Sequence, residues 1–142
     1  MNLAKIHSAI PHREPMLLLD EILEQTENHI VCKKSFHPNE FFFQGHYPER
    51  PLVPGVILCE SALQAGAVLL ANLVENGDGM PVATRMNEVK FKRMVRPGET
   101  VIVDVSLDEH LADAFFLSAK VTCDDKVAVR LKFACTITQI DP

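Results

Sequence analysis

After Gly55 the chain runs VILCESALQAGAVLLANLV, and Glu60 is the only charge in this run before Glu75. Apolar residues fall on nearly every side of the helix this stretch predicts, so in a soluble protein it needs apolar surroundings around its whole circumference. The rest of a 142-residue chain has to supply them. That requirement favours a sheet curved around one central helix.

The segment leading into this helix is GHYPERPLVPG, with Pro48, Pro51 and Pro54 at every third position. Each proline fixes its own φ and biases the preceding residue toward extended geometry, so Tyr47, Arg50 and Val53 are expected to be extended in a stiff polyproline-like loop. Gly55 then opens the helix, where the first N–H groups have no intrahelical acceptor and can bind a carbonyl oxygen. His46 lies just upstream, and Glu60 lies about one turn inside the helix. A carboxylate in a buried helix costs several kcal/mol unless it is paired, hydrogen-bonded or protonated. One reading of Glu60 is a structural ion pair, and the plain reading of His46 is an ordinary loop histidine. Together with the helix start, the pair also offers an acid, a base and oxyanion donors in one short stretch.

Composition narrows the partners. The net charge of −5 argues against general nucleic-acid or membrane-surface binding. The N-terminal MNLAKIHSAIPHREP lacks the long apolar core of a signal peptide, and Glu60, Ser61 and Gln64 interrupt the apolar helix, so no membrane span and a cytoplasmic location are expected. Cys32, Cys59, Cys123 and Cys135 stand singly, without a CxxC pair or metal-ligand spacing. They read as buried thiols, with neither a metal site nor a cofactor implied.

Residues 2–9 are expected to form a short amphipathic helix stopped before Pro11. PHREPMLLLDEILEQ leads into a first strand, TEN makes a turn, and His29 to Phe36 returns as a second strand. The loop HPNEFFFQGH follows, then the long helix at 56–75, with Asn76-Gly77 as its C-cap. Beyond Pro81, alternating patterns predict four strands. These are Val82 to Val95, Thr100 to Leu107, a strand carrying Phe115, Leu117, Ala119, Val121 and Cys123, and a last strand from Val127 to Ile137. The fold class is α+β, a curved antiparallel sheet wrapped around a long central helix, in a single domain over 1–142.

In order along the chain, PHREPMLLLDEI, NEFFFQGHYPERPLVPGV, ILCESALQAG and EVKFKRMVRPGE resemble segments of the FabZ-type 3-hydroxyacyl-acyl-carrier-protein dehydratases of the hot-dog fold. The resemblance implies a lyase that removes water from a (3R)-3-hydroxyacyl thioester to give the trans-2-enoyl thioester. It assigns His46 as the base for the C2 proton and Glu60 as the acid for the departing hydroxyl, a role that burial favours by keeping a carboxyl protonated. It places the Gly55 or Val56 amide on the thioester oxygen and Gln64 where it can orient the site or bind substrate, although a helix-face amide bonded to a neighbouring strand accounts for Gln64 equally well. It also implies an acyl tunnel for which Phe43, with Phe41 and Phe42, is a candidate lining residue, although core packing accounts for the same rings. The partners implied are an acyl carrier protein and a second copy of the chain. His46 would come from one protomer and Glu60 from the other, and dimers would assemble further, as in a trimer of dimers. Arg85 stands where that family has small residues, close enough in the pattern to pair with Glu60.

Two other functions fit parts of this pattern. A hot-dog acyl thioesterase would use a carboxylate to activate water without needing His46, and a non-catalytic acyl-binding protein would keep the fold alone. In an acidic chain, the cluster Lys90, Lys92, Arg93 and Arg96 is either a solvated face or a docking patch for an acidic carrier. Reversing Lys90 and Lys92 to Glu is expected to raise KM for a carrier-bound thioester and leave a small thioester analogue unaffected. Equal effects on the two substrates in steady-state assays would remove the docking role.

Overall fold

The computed structural model describes residues 2–73 and 79–138. The helix α1 (Asn2–Ala9) precedes strands β1 (Glu21–Gln25) and β2 (His29–Ser35). A 3-10 turn (Phe41–Gln44) leads to the helix α2 (Gly55–Leu70), which is followed by a second 3-10 turn (Ala71–Leu73). Strands β3 (Met80–Phe91), β4 (Thr100–Leu111), β5 (Ala114–Cys123) and β6 (Lys126–Thr138) complete the order. All six strands form one antiparallel sheet in the order β1-β2-β4-β5-β6-β3. The expected C-cap at Asn76-Gly77 lies outside the described residues.

The alternation read from the sequence sets the inner face. Val101, Val103 and Val105 of β4, Phe115, Leu117 and Val121 of β5, and Val129, Leu131 and Phe133 of β6 are all buried. They belong to one core cluster with Leu58, Ala62, Ala65, Val68, Leu69 and Leu70 of α2. Each large side chain buried this way contributes about 1.5–3 kcal/mol. Small residues on α2 let the sheet come close. A Cβ built on Gly66 would sit 2.8 Å from Phe133 Cζ and 3.4 Å from Leu117 Cδ2.

The stretch Gly55–Leu73 has 19 residues and a mean hydropathy of 1.7, enough by length and composition to cross a membrane. Here 61% of that apolar window is buried inside the protein, so the sheet supplies the surroundings that a bilayer would. Burial is not complete around the helix, however. Val56 is exposed, and Glu60 and Leu63 are only half-buried, which leaves one stripe at helical spacing uncovered near the N-terminal end.

Turn chemistry sets two of the chain reversals, the β5–β6 hairpin and the β3–β4 connection. Asp124 and Asp125 have φ of 51° and 64°, the left-handed pair a two-residue type I′ hairpin requires. Glu99 N–H donates to Arg96 O at 3.1 Å, and Gly98 at φ 88° supplies the positive-φ position of a type II turn.

Four expectations are corrected. MLLLD is not a strand, because the backbone at Met16 and Leu18 is bonded by the Gln64 side chain instead of a ladder. Tyr47 is not extended. Its φ is 54°, and its carbonyl accepts from Arg50 N–H at 2.9 Å, so the first proline sits in a tight turn. Strand β3 ends at Phe91, and the tail leaves the sheet so that Val95 O can accept Val53 N–H at 2.7 Å. Strand β4 runs on to Leu111 through a bulge between Leu107 and Glu109. Substituting Gly66→Val is expected to lower stability by about 2–3 kcal/mol through overpacking against Phe133, measured as a lower denaturant midpoint. An unchanged midpoint would show that the helix does not press on β6 there.

Candidate active site

An ion pair, a cluster of aromatic rings and a backbone hydrogen bond hold the loop that bears His46. Lys34 on β2 is 6% exposed. Its Nζ stands 2.9 Å from Glu40 Oε2 and 3.6 Å from Asp20 Oδ1. Glu40 directly precedes the Phe41–Gln44 turn, so a buried ion pair anchors the start of the loop, and breaking such a pair costs about 3–5 kcal/mol. Phe42 and Phe43 are buried and pack edge to face at 4.9 Å, with Phe36 at 6.0 Å from Phe42. The far end of the loop is tied to Val95 through Val53.

On this loop the His46 ring is fixed by its Nδ1, 3.0 Å from Leu52 O. A carbonyl oxygen can only accept, so Nδ1 carries the hydrogen. The neutral ring therefore presents a lone pair on Nε2, the form a general base needs. Tyr47, at φ 54°, is 63% exposed and packs its ring 4.7 Å from the imidazole. Positive φ at a bulky residue is strained backbone, and such strain gathers at functional loops.

At the helix start, Ile57 and Leu58 N–H both donate to Pro54 O. The Gly55 and Val56 amides have no acceptor among the described residues. Gly55 is required here by close approach, since a Cβ on it would lie 2.5 Å from Phe91 Cε1. Two free amides at a helix N-terminus can stabilise a developing oxyanion.

Glu60 departs from expectation in its surroundings. Its side chain is 30% exposed, because it lies on the uncovered stripe of α2. Gln64, one turn on, donates from Nε2 to Glu60 Oε2 at 2.9 Å and to Met16 O at 2.8 Å, while its Oε1 accepts Leu18 N–H at 2.7 Å. With 1% exposure, Gln64 is placed to hold Glu60 and the 16–18 segment and not to reach a ligand. Phe43, the candidate tunnel residue, is likewise in the interior, at 6% exposure.

A histidine that the sequence reading passed over completes the cluster. His12 Nε2 stands 3.7 Å from Glu60 Oε2. Its one signal in the sequence is its place in PHREP, just ahead of the 16–18 segment that Gln64 ties down. Arg85, the expected cation for Glu60, is exposed and has no ion pair among the described residues. Beside His12 lies an open cavity of about 420 Å³, whose walls include Ile10, Ala67, Ala71, Met80 and Pro81.

Within the protomer, His46 and Glu60 share no hydrogen bond or ion pair among the described residues. Of the basic cluster, Lys90, Lys92 and Arg96 are exposed. Arg93 Nη2 is engaged with Glu99 Oε2 and Asp124 Oδ2, both at 3.3 Å. Lys92 lies past the end of β3, so it does not share a strand face with Lys90. The ligand-like grouping of Glu99, Cys123 and Asp124 thus already has Arg93 as its cation. Hydrogen bonds from the Arg96 amide and then from Arg93 hold the Glu99 carboxyl below its usual range. Burial pushes Cys32 up to about 12 and Cys135 to about 11 and raises Cys59, which leaves these thiols inert near neutral pH.

The FabA-like domain family matches residues 10–132, which takes in every element from His12 to most of β6. The chain belongs to the FabA-like family. Curated relatives carry the name 3-hydroxyacyl-[acyl-carrier-protein] dehydratase FabZ. The one from Syntrophobacter fumaroxidans is 38% identical over 96% of this chain and 94% of its own length. The one from Clostridium perfringens is 39% identical over 90% of this chain and 92% of its own. Among solved structures, a chain of the dehydratase heterocomplex ApeI:P from Xenorhabdus doucetiae superposes with a TM-score of 0.78 at 15% identity, covering 99% of this chain and 92% of that one. An uncharacterized protein from Pyrococcus horikoshii gives a TM-score of 0.69 at 18% identity, covering 89% of this chain and 88% of that one. The fold is the hot-dog fold that the resemblance implies, and its one helix in a curved sheet matches the pattern read from the sequence.

Replacing Gln64 with Leu would leave the Leu18 amide and the Met16 carbonyl unmatched, at about 1–3 kcal/mol each, and would release Glu60. The expected result is a lower melting temperature and a fall in kcat with little change in KM. Wild-type kcat in a folded Gln64→Leu protein would show that Glu60 needs no holder.

Proposed function

We propose that this chain is a (3R)-3-hydroxyacyl-[acyl-carrier-protein] dehydratase, a hydro-lyase of fatty acid biosynthesis that acts in the cytoplasm. The observation that carries the reading is the His46 ring: its Nδ1 is committed to Leu52 O, which leaves Nε2 free as a base on the loop that leads into a helix start with two free amides. His46 takes the C2 proton while the Gly55 and Val56 amides hold the thioester oxygen as negative charge builds on it. Glu60 protonates the hydroxyl at C3 as it leaves, and the electron pair of the C2–H bond becomes the new double bond. The acyl chain lies in the cavity past His12, along α2 by Ala67 and Ala71, where small side chains leave it room. Phe41 to Phe43 serve the fold of the loop in this account.

The active form is a homodimer in which His46 of one protomer meets Glu60 of the other. Support comes from what the single protomer leaves uncovered. β3 is a sheet edge whose Val82, Met86 and Phe91 are exposed, and Val56 on the neighbouring open stripe of α2 is 70% exposed. An edge strand of this length with three large apolar side chains exposed calls for pairing, and a two-fold copy of the same edge satisfies it. Lys90, Lys92 and Arg96 are the residues offered to an acidic carrier, with Arg93 supporting the turn behind them.

Purified protein is expected to hydrate crotonyl thioester and dehydrate 3-hydroxybutyryl thioester reversibly, followed by enoyl absorbance, without release of free thiol. His46→Ala and Glu60→Gln should each lower kcat by about 10²-fold or more. Thiol release would favour a thioesterase, and no turnover at all would favour a binding protein.

A further inference from the structure

The cluster around Glu60 contains a group with no part in the reaction described above. His12 Nε2 lies 3.7 Å from Glu60 Oε2, and both side chains are 30% exposed. His12 Nδ1, by contrast, is shut off from solvent and has no hydrogen-bond partner, at a cost of about 1–3 kcal/mol for an unmatched polar group. The other charged groups nearby are occupied. The Arg13 guanidinium donates to the carbonyls of His7, Ile10 and His12, and Glu14 faces His7 of α1 at 3.6 Å. The carboxylate that faces His12, from α2, is that of Glu60. The segment bearing His12 is itself tied to α2 by Gln64 through Met16 and Leu18, so imidazole and carboxylate are held against one helix face.

Glu60 has to be reprotonated once in every turnover, and it stands half-buried on the open stripe of α2 within reach of solvent. We infer that His12 is the proton relay that resets Glu60. The inference rests on the dehydratase reading, with Glu60 as the acid. Once Glu60 has given its proton to the departing hydroxyl, the Nε2–H bond of the His12 imidazolium breaks and that proton passes to the Glu60 carboxylate. The neutral ring keeps its remaining proton on the enclosed Nδ1, and the lone pair on Nε2 takes the next proton from water. His46 returns to water the proton it took from C2, so the cycle closes without another reactant. The 3.7 Å separation is an ion-pair distance, longer than a hydrogen bond. A rotation of the imidazole closes the gap, as catalytic contacts tighten when substrate is bound.

The test uses the full chain with a 3-hydroxyacyl thioester. His12→Gln keeps an N–H donor of similar reach but cannot take up and release a proton, whereas His12→Gly opens room for added imidazole. The relay predicts that both variants lose kcat by about 10²-fold with KM nearly unchanged. Added imidazole should restore His12→Gly in a concentration-dependent manner and leave His12→Gln unaffected. A His12→Gln protein with kcat within about twofold of wild type would reduce His12 to a spacer or hydrogen-bond donor and overturn the relay. Folded His12→Gly that gives no response to imidazole would overturn it too. Glu60→Gln is the control: activity retained there removes the dehydratase site itself, whereas loss there with normal His12→Gln removes only the relay.

Discussion

Three hydrogen bonds from one buried amide hold this site together. Gln64 bonds Leu18 N–H, Met16 O and Glu60 Oε2, and only a side chain with both a donor and an acceptor end can do all three. The bonds to residues 16 and 18 let an apolar segment enter the core without pairing in the sheet, so its backbone groups do not go unsatisfied. The bond to Glu60 sets the direction of the carboxylate on an otherwise greasy helix. The same tie brings His12 to Glu60, since His12 lies just before the 16–18 segment that Gln64 fixes.

Much of the architecture was legible because it follows from periodicity. The apolar run after Gly55 demanded a wrapping sheet, and the alternation of Val101, Val103 and Val105 or of Leu131 and Phe133 set which face would bury it. Gly55 was legible as a helix start, and its contact with the Phe91 ring adds a reason the local pattern does not contain. What escaped depended on partners distant in sequence. MLLLD looked like a strand because nothing local announces a glutamine 46 residues away taking its N–H. The left-handed φ of Tyr47 overrode the bias imposed by Pro48, and Arg93 looked like part of an exposed patch until Glu99 and Asp124 were seen to hold it. His12 carried no periodic signal at all.

The incomplete burial of α2 connects fold to function. A helix apolar on nearly every side was expected to be covered everywhere, yet the stripe of Val56, Glu60 and Leu63 is left open beside an unpaired β3 edge. The uncovered surfaces are the two that a second protomer would cover, and Glu60 stands on one of them. His46, on a loop anchored by Lys34 and Val95, makes no contact with the Glu60 of its own chain among the described residues. The account therefore treats each chain as contributing half of two sites.

Mixing the two inactive variants tests that division most directly. His46→Ala and Glu60→Gln proteins are unfolded together, refolded, and assayed for hydration of crotonyl thioester. If each site takes His46 from one protomer and Glu60 from the other, every mixed dimer has one site with both residues intact, and random pairing restores about a quarter of wild-type activity. If mixed dimers form and activity stays at the level of the single variants, the site lies within one chain and the account is wrong.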